Sequence, residues 1–230
     1  MIYETHLAAT EAAFWPMDSI AWDNIDREAA RAEGSIHQAL HDAALIEGYL
    51  PVYAARLLQL LWEDVDATAV FSMELFEGLR HYTMLRRYLD LVGFRSATDV
   101  DASLAVARGR ARSAEYSAER IGEHLTHFMG SELFASYFFL RIAEQSREPV
   151  LQSLLRRMSA DERRHATAAA AVLEQRVRRD GSIAAQVRAA ANAFQHYGSD
   201  VVHVPVGEAN DFEALAAFNR KVRDILASPT

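Results

Sequence analysis

Apolar residues recur at intervals of three to five along most of the chain, the spacing that places side chains on one face of an α-helix. Between about residues 35 and 62, the leucines, alanines and tyrosines step mostly by four. Runs of alternating β-branched residues do not occur in the sequence, and glycine and proline are scarce, at 10 and 5 residues. The pattern therefore predicts an all-α protein.

Four long helices with short connections are predicted in the middle of the chain, which favours an antiparallel bundle. We expect the second to end at Gly93 in a left-handed cap and the fourth to carry Pro149 in its first turn. The segment 99–117 is expected to be helical and broken near Gly109, and two shorter helices are expected to flank 198–207. The long helices are predicted at about 35–62, 66–91, 118–145 and 149–179.

The length of 230 residues, with no linker-like stretch, favours a single domain. Within this unit we expect an N-terminal arm over residues 1–34 and a four-helix bundle core over residues 35–180. A C-terminal helical extension is expected over residues 181–230.

The amino-acid composition excludes several classes of function and of metal ligand. The chain has 24 basic and 32 acidic residues and a net charge of −8, which argues against non-specific nucleic-acid binding. No apolar run approaches the roughly 18 residues of a membrane-spanning helix, and the first residues do not resemble a secretory signal, so a cytoplasmic protein is expected. Because the chain has no cysteine, any metal must be bound by oxygen and imidazole nitrogen.

Two five-residue segments begin with an acid and end in Arg-His: Glu-Gly-Leu-Arg-His at 77–81 and Asp-Glu-Arg-Arg-His at 161–165. In the second, Glu162 and His165 are three apart, so both emerge from one helix face and can bind one metal ion. Carboxylate plus imidazole suits iron or manganese. Taken alone, the pair is more simply a solvated face of an arginine-rich helix.

Two further acids favour the metal interpretation. Glu47 and Glu132 lie in strongly apolar stretches, where an unpaired carboxylate is costly and needs a cation, a hydrogen-bond partner or a proton. A tyrosine or arginine partner would satisfy either one singly, but that explanation must hold twice, on two helices. The order Glu47, His81, Glu132 and Glu162-x-x-His165 is close to a dinuclear carboxylate site in a four-helix bundle.

At this point the sequence resembles the ferritin-like di-iron carboxylate proteins, and within them the soluble acyl-carrier-protein desaturases. The resemblance covers residues 15–174, most of the chain. The matching elements are Trp15-Pro16-Met17-Asp18, Glu47-x-x-Leu50-Pro51-x-Tyr53, Glu77-x-x-Arg80-His81 followed by Tyr88-Leu89-x-Leu91-x-Gly93, Glu132, and Ala160-Asp161-Glu162-x-Arg164-His165.

The resemblance implies a ligand set and its supporting residues. One metal ion would take Glu47 and His81, the other Glu132 and His165, with Glu162 bridging them. The remaining acids and arginines of the two motifs would orient the ligand histidines or pair with one another. These supporting residues are Glu77, Asp161, Arg80 and Arg164.

The sequence departs from the family at Gly78, where the family has a metal-bridging glutamate three residues before the helix-2 histidine. Three interpretations are open. Glu77 or Glu74 restores a carboxylate; or the vacancy admits a substrate carboxylate, an amine or an exogenous anion to the metal; or the centre binds one ion or none. Close helix packing also explains a glycine at this position, despite its cost of about 1 kcal/mol in a helix.

The resemblance implies an enzyme that uses two iron ions, or iron and manganese, with O2 as co-substrate. Gly78 and the short chain favour a small-molecule oxygenase over acyl desaturation, with hydroxylation, N-oxygenation and desaturation all open. A homodimer and an electron donor such as ferredoxin are expected. Docking of an acidic carrier protein on the basic fourth helix is a weaker interpretation than simple solvation. The alternative is a non-catalytic ferritin-like metal-binding or scaffold protein.

Overall fold

A computed structural model describes residues 1–110, 117–202 and 212–227. It is all-α in these residues, with four long helices at its centre and shorter helices around them. In chain order the helices are α1 (Ile2–Ala13), α2 (Arg27–Arg31), α3 (Gly34–Leu60), α4 (Val65–Leu91), α5 (Ala97–Gly109), α6 (Ile121–Gln145), α7 (Pro149–Arg179), α8 (Ile183–Asn192) and α9 (Phe212–Ala227).

The ends of the long helices follow from local chemistry. The Asp64 carboxylate accepts a hydrogen bond from the Ala67 amide at the start of α4. The Glu148 carboxylate does the same for the first amides of α7, where Pro149 needs no partner for its own nitrogen. Gly93 follows α4 with φ of 73°, which is the expected left-handed cap.

The four long helices form the bundle in pairs: α3 packs along α4, α6 packs along α7, and α4 meets α7 across the middle. Its interior holds two apolar clusters. One contains Phe71 and Phe128, and the other contains Tyr88 and Phe139. The buried acids and histidines that lie between the residues of these two clusters are Glu47 on α3, Glu74, Glu77 and His81 on α4, and Asp161, Glu162 and His165 on α7. Glu132 on α6 lies at the edge of the first cluster, next to Leu133. The fold therefore places a polar band inside the bundle, closed by apolar packing at both ends.

The predicted all-α class and the ferritin-like four-helix bundle are confirmed, with helix ends within about three residues of those expected. The arm expected over residues 1–34 is more ordered than predicted, since it contains α1 and α2. Residues 111–116 and 203–207, which belong to two of the predicted segments, lie outside the described residues. Among the helices that are described, none is long and apolar enough to cross a membrane.

Candidate metal centre

The polar band brings together five predicted side chains from four helices, all of them at most 4% exposed. Helix α3 supplies one of them, α4 one, α6 one and α7 two, the last pair emerging one turn apart from the same face. Together they are Glu47, His81, Glu132, Glu162 and His165.

One half of the band consists of Glu47, His81 and Glu162, whose nearest donor atoms all lie within 4.8 Å of one another. The Nδ1 atom of His81 lies 2.6 Å from Oε1 of Glu162 and 3.8 Å from Oε2 of Glu47. Two carboxylates and an imidazole nitrogen thus face one point, as three ligands of a metal ion would.

The other half consists of Glu132, Glu162 and His165, which meet the same 4.8 Å limit. The Nδ1 atom of His165 lies 3.0 Å from Oε2 of Glu162 and 3.3 Å from Oε2 of Glu132. Glu162 therefore presents one oxygen to each histidine. This is the arrangement that a carboxylate shared by two ions requires.

Both histidines turn their outer nitrogen to a further carboxylate. Nε2 of His81 lies 3.1 Å from Oδ2 of Asp161, and Nε2 of His165 lies 2.9 Å from Oε2 of Glu77. The pairing is crossed, because α7 supports the histidine of α4 and α4 supports the histidine of α7. A carboxylate at Nε2 fixes the ring and leaves Nδ1 directed at the centre.

Arg164 joins the two supporting carboxylates. Its Nη1 donates to Oδ1 of Asp161 at 3.0 Å and its Nη2 to Oε1 of Glu77 at 2.5 Å. Asp161 also accepts a hydrogen bond of 2.8 Å from the indole of Trp15. Arg80 does not share this role, because it donates to the backbone carbonyl of Trp15 instead.

The carboxylates of the polar band favour a positive charge at the Nδ1 atoms of His81 and His165. Burial would lower the pKa values of His81 and His165, but Glu162 and the other carboxylates raise both well above the ordinary value. Burial would raise the pKa of Glu162, yet the two imidazoles hold it well below its usual range. Burial and the charge of Glu162 raise the pKa of Glu47 to about 7 and that of Glu132 well above normal. A divalent cation would supply the same positive charge.

The residues fit such an ion by one further observation. Nδ1 of His81 and Oε1 of Glu162 form an ion-pair contact of 2.6 Å that lacks hydrogen-bond geometry. Together with Glu47 they place two carboxylates and an imidazole nitrogen around one point, a donor set that suits iron or manganese.

The structure also shows the positions of Gly78 and of Glu77 and Glu74, the two acids that could replace the missing sixth ligand. Gly78 lies against α3, where a Cβ atom would be 2.5 Å from Cδ2 of Leu50 and 3.2 Å from Oε2 of Glu47. Glu77 is used in support of His165, as described above. Glu74 is 1% exposed, and neither of its carboxylate oxygens has a hydrogen-bond partner among residues 1–110, 117–202 and 212–227.

Sequence reasoning missed Tyr197. Its hydroxyl donates to Oε1 of Glu132 at 3.2 Å, and its ring packs against Tyr53 and Phe128. The residue stands in a short 3₁₀ turn, Tyr197–Asp200, after α8. A single tyrosine in an irregular segment has no spacing pattern, so the sequence contained no signal for this contact.

Searches against family models and against curated proteins gave no match. Among solved structures, the chain is similar to an R2-like ligand-binding oxidase from Sulfolobus acidocaldarius. The TM-score is 0.67 and the sequence identity 15%, and the match covers 100% of this chain and 92% of the oxidase. This is a similarity of fold over the whole length, and it agrees with the ferritin-like architecture described above.

Proposed function

We propose that this protein is an oxidoreductase that activates O2 at a dinuclear iron or iron–manganese centre to oxidise a small molecule. The observation that carries the proposal is the pair of three-residue sites, Glu47–His81–Glu162 and Glu132–Glu162–His165, which share one carboxylate. The similarity of fold to an R2-like ligand-binding oxidase supports the oxidative chemistry.

Glu162 would bridge the two ions, with Glu47 and His81 on one and Glu132 and His165 on the other. When bound, such a centre supplies redox electrons and open coordination positions at which O2 can be reduced as a C–H or N–H bond is oxidised. Hydroxylation, N-oxygenation and desaturation all fit this description. We further propose a one-electron carrier such as ferredoxin as the source of reducing equivalents.

The chain's own residues prepare this chemistry by orientation and exclusion of water. Asp161 and Glu77 hold the two imidazole rings so that both Nδ1 atoms face the shared carboxylate. Arg164 compensates the charge of both supporting acids. Since apolar clusters close the band at both ends, the polar groups are shielded from bulk water, which strengthens every charge interaction among them.

The test is anaerobic loading of the purified protein with ferrous iron, followed by elemental analysis and an absorption spectrum on exposure to O2. We expect two irons per chain and a change in the spectrum that depends on O2. A Glu144→Gln variant, which removes an exposed carboxylate on α6, is the control and should behave as the wild type.

The other outcomes contradict the proposal in distinct ways. Two irons without any response to O2, particularly in a large shell-like assembly, would indicate metal binding or storage. Folded protein that takes up no metal at neutral pH would indicate a scaffold with a vestigial ligand set.

A further inference from the structure

In the family that the sequence resembles, the sixth ligand is a carboxylate on the second helix, and at Gly78 the space for such a side chain is occupied by Leu50. A Cβ atom there would lie only 2.5 Å from Cδ2 of Leu50, a side chain that is itself 2% exposed. The same Cβ atom would lie 3.2 Å from Oε2 of Glu47. Leu50 fills the space that a side chain at 78 would use, and it would have to shift to admit one.

Glu77 is also committed to other partners. Its Oε2 contacts Nε2 of His165 and its Oε1 accepts from Arg164, so both oxygens are engaged away from the shared carboxylate. Burial would raise its pKa, but these two partners hold it at about 2. A carboxylate that already supports the back of one ligand cannot at the same time coordinate in front of it.

Glu74 differs from Glu77 in every one of these respects. It lies four residues before Gly78 and seven before His81, so all three emerge from one face of α4. Its side chain is fully enclosed, at 1% exposure, and both oxygens lack a hydrogen-bond partner within the described residues. Burial raises the pKa of Glu74 well above its ordinary value, with the charge of His165 opposing this shift and that of Glu162 adding to it. A buried carboxylate without a partner requires a proton or a cation.

We propose that Glu74 supplies the carboxylate that Gly78 lacks, by turning its side chain toward the ion held by Glu132, Glu162 and His165. In the structure its oxygens belong to neither of the two groups of donor atoms that lie within 4.8 Å of one another. This inference rests on the dinuclear centre of the proposed function and adds one residue to it. The ligand has moved by one helical turn along α4, away from the position blocked by Leu50.

The displacement makes the two ions unequal. The ion beside His165 would have four protein ligands: Glu74, Glu132, Glu162 and His165. The ion beside His81 would have three, because Glu74 replaces a carboxylate that bridges both ions in the family. We therefore expect the two positions to fill in sequence, the position beside His165 first.

The experiment is a stepwise titration of the metal-free protein with Co²⁺, whose visible absorption reports its coordination. Wild type, Glu74→Gln, Glu74→Asp and the surface control Glu144→Gln are compared. We expect two resolved binding steps in the wild type and the control. Glu74→Gln should weaken the tighter step on the order of 100-fold, since even outer partners of metal ligands contribute about 10–100-fold. Glu74→Asp should recover part of the loss.

Each other result counts against a specific statement. If Glu74→Gln binds two Co²⁺ with the wild-type affinities and spectrum, Glu74 is a protonated structural side chain and the inference is wrong. If Glu74→Gln fails to fold while Glu144→Gln folds, the carboxylate supports the bundle through contacts of its own, and the inference is again wrong. If the wild type binds no Co²⁺, the dinuclear centre itself is wrong.

Discussion

The two halves of the centre repeat one design and differ in what surrounds it. In both, a histidine directs Nδ1 at Glu162 and rests its Nε2 on a carboxylate from the facing helix. In the half around His81, the supporting Asp161 is further held by the Trp15 indole. The half around His165 has no such indole among the residues described.

The two halves also differ on the side that faces Glu162, where the additional polar groups belong to the half around His165. Around His165, Glu132 accepts a hydrogen bond from Tyr197. Glu74, the proposed further ligand of this half, has no hydrogen bond to either oxygen within the described residues. Around His81, the corresponding space is filled by Leu50 against Gly78. With Glu74 as the proposed ligand, the half around His165 would have one carboxylate more than the half around His81.

The largest effect should come from the residue that both halves share. Glu162→Gln keeps the shape of the side chain but removes the negative charge that both Nδ1 atoms face. We expect this variant to retain neither iron after anaerobic loading, measured by elemental analysis after desalting. Its circular dichroism should remain that of a helical bundle. Iron retained at the wild-type stoichiometry would show that the halves do not depend on a common ligand.

Smaller and selective effects are expected from the supporting acids. Asp161→Asn should weaken the ion beside His81, and Glu77→Gln the ion beside His165, each by about 10–100-fold because such partners orient and polarise the ligand imidazole. The stepwise Co²⁺ titration separates the two, with Glu144→Gln as reference. If either change weakened both Co²⁺ binding steps equally, the two halves would not bind their ions independently.

The smallest effect concerns the packing at Gly78. Gly78→Ala forces Leu50 to shift, at an overpacking cost of about 1–3 kcal/mol, while alanine regains about 1 kcal/mol of helix propensity. We expect a net loss of about 1 kcal/mol in the free energy of unfolding of the metal-free protein, measured with urea. In a Leu50→Ala background the same change should be stabilising. An equal loss in both backgrounds would mean that Leu50 is not the obstacle.

The sequence predicted the bundle well because its helices are long and strongly periodic. It predicted α7 at the observed bounds, since Pro149 and the Asp180-Gly181 step mark both ends. It did not predict α1, although the alanines and glutamates of residues 2–13 are good helix formers. That segment lacks a wide apolar face, and it is positioned mainly by packing on α4 and α7.

The sequence predicted which residues form the candidate site, but it did not predict all of their contacts. The five buried acids and histidines follow from apolar surroundings and motif spacing, and the structure brings them together; their role as ligands stays a prediction. The choice between Glu74 and Glu77 depended on which carboxylate Arg164 reaches, a contact across 87 positions of sequence. The closing of position 78 by Leu50 depended on how closely α3 approaches α4. Neither distance is encoded in local spacing.

The hydrogen bond between Trp15 and Asp161 has a consequence for the timing of biosynthesis. The two residues are 146 positions apart, and Arg164 reaches Thr10 over 154. At about 5–20 residues per second, a ribosome separates the two ends of such a contact by roughly 7–30 s. Throughout that interval the nascent chain carries the indole without the carboxylate, and in its later part it carries Glu47 and His81 without Glu162. A metal ion held by the proposed ligand set would therefore enter only after synthesis has passed α7.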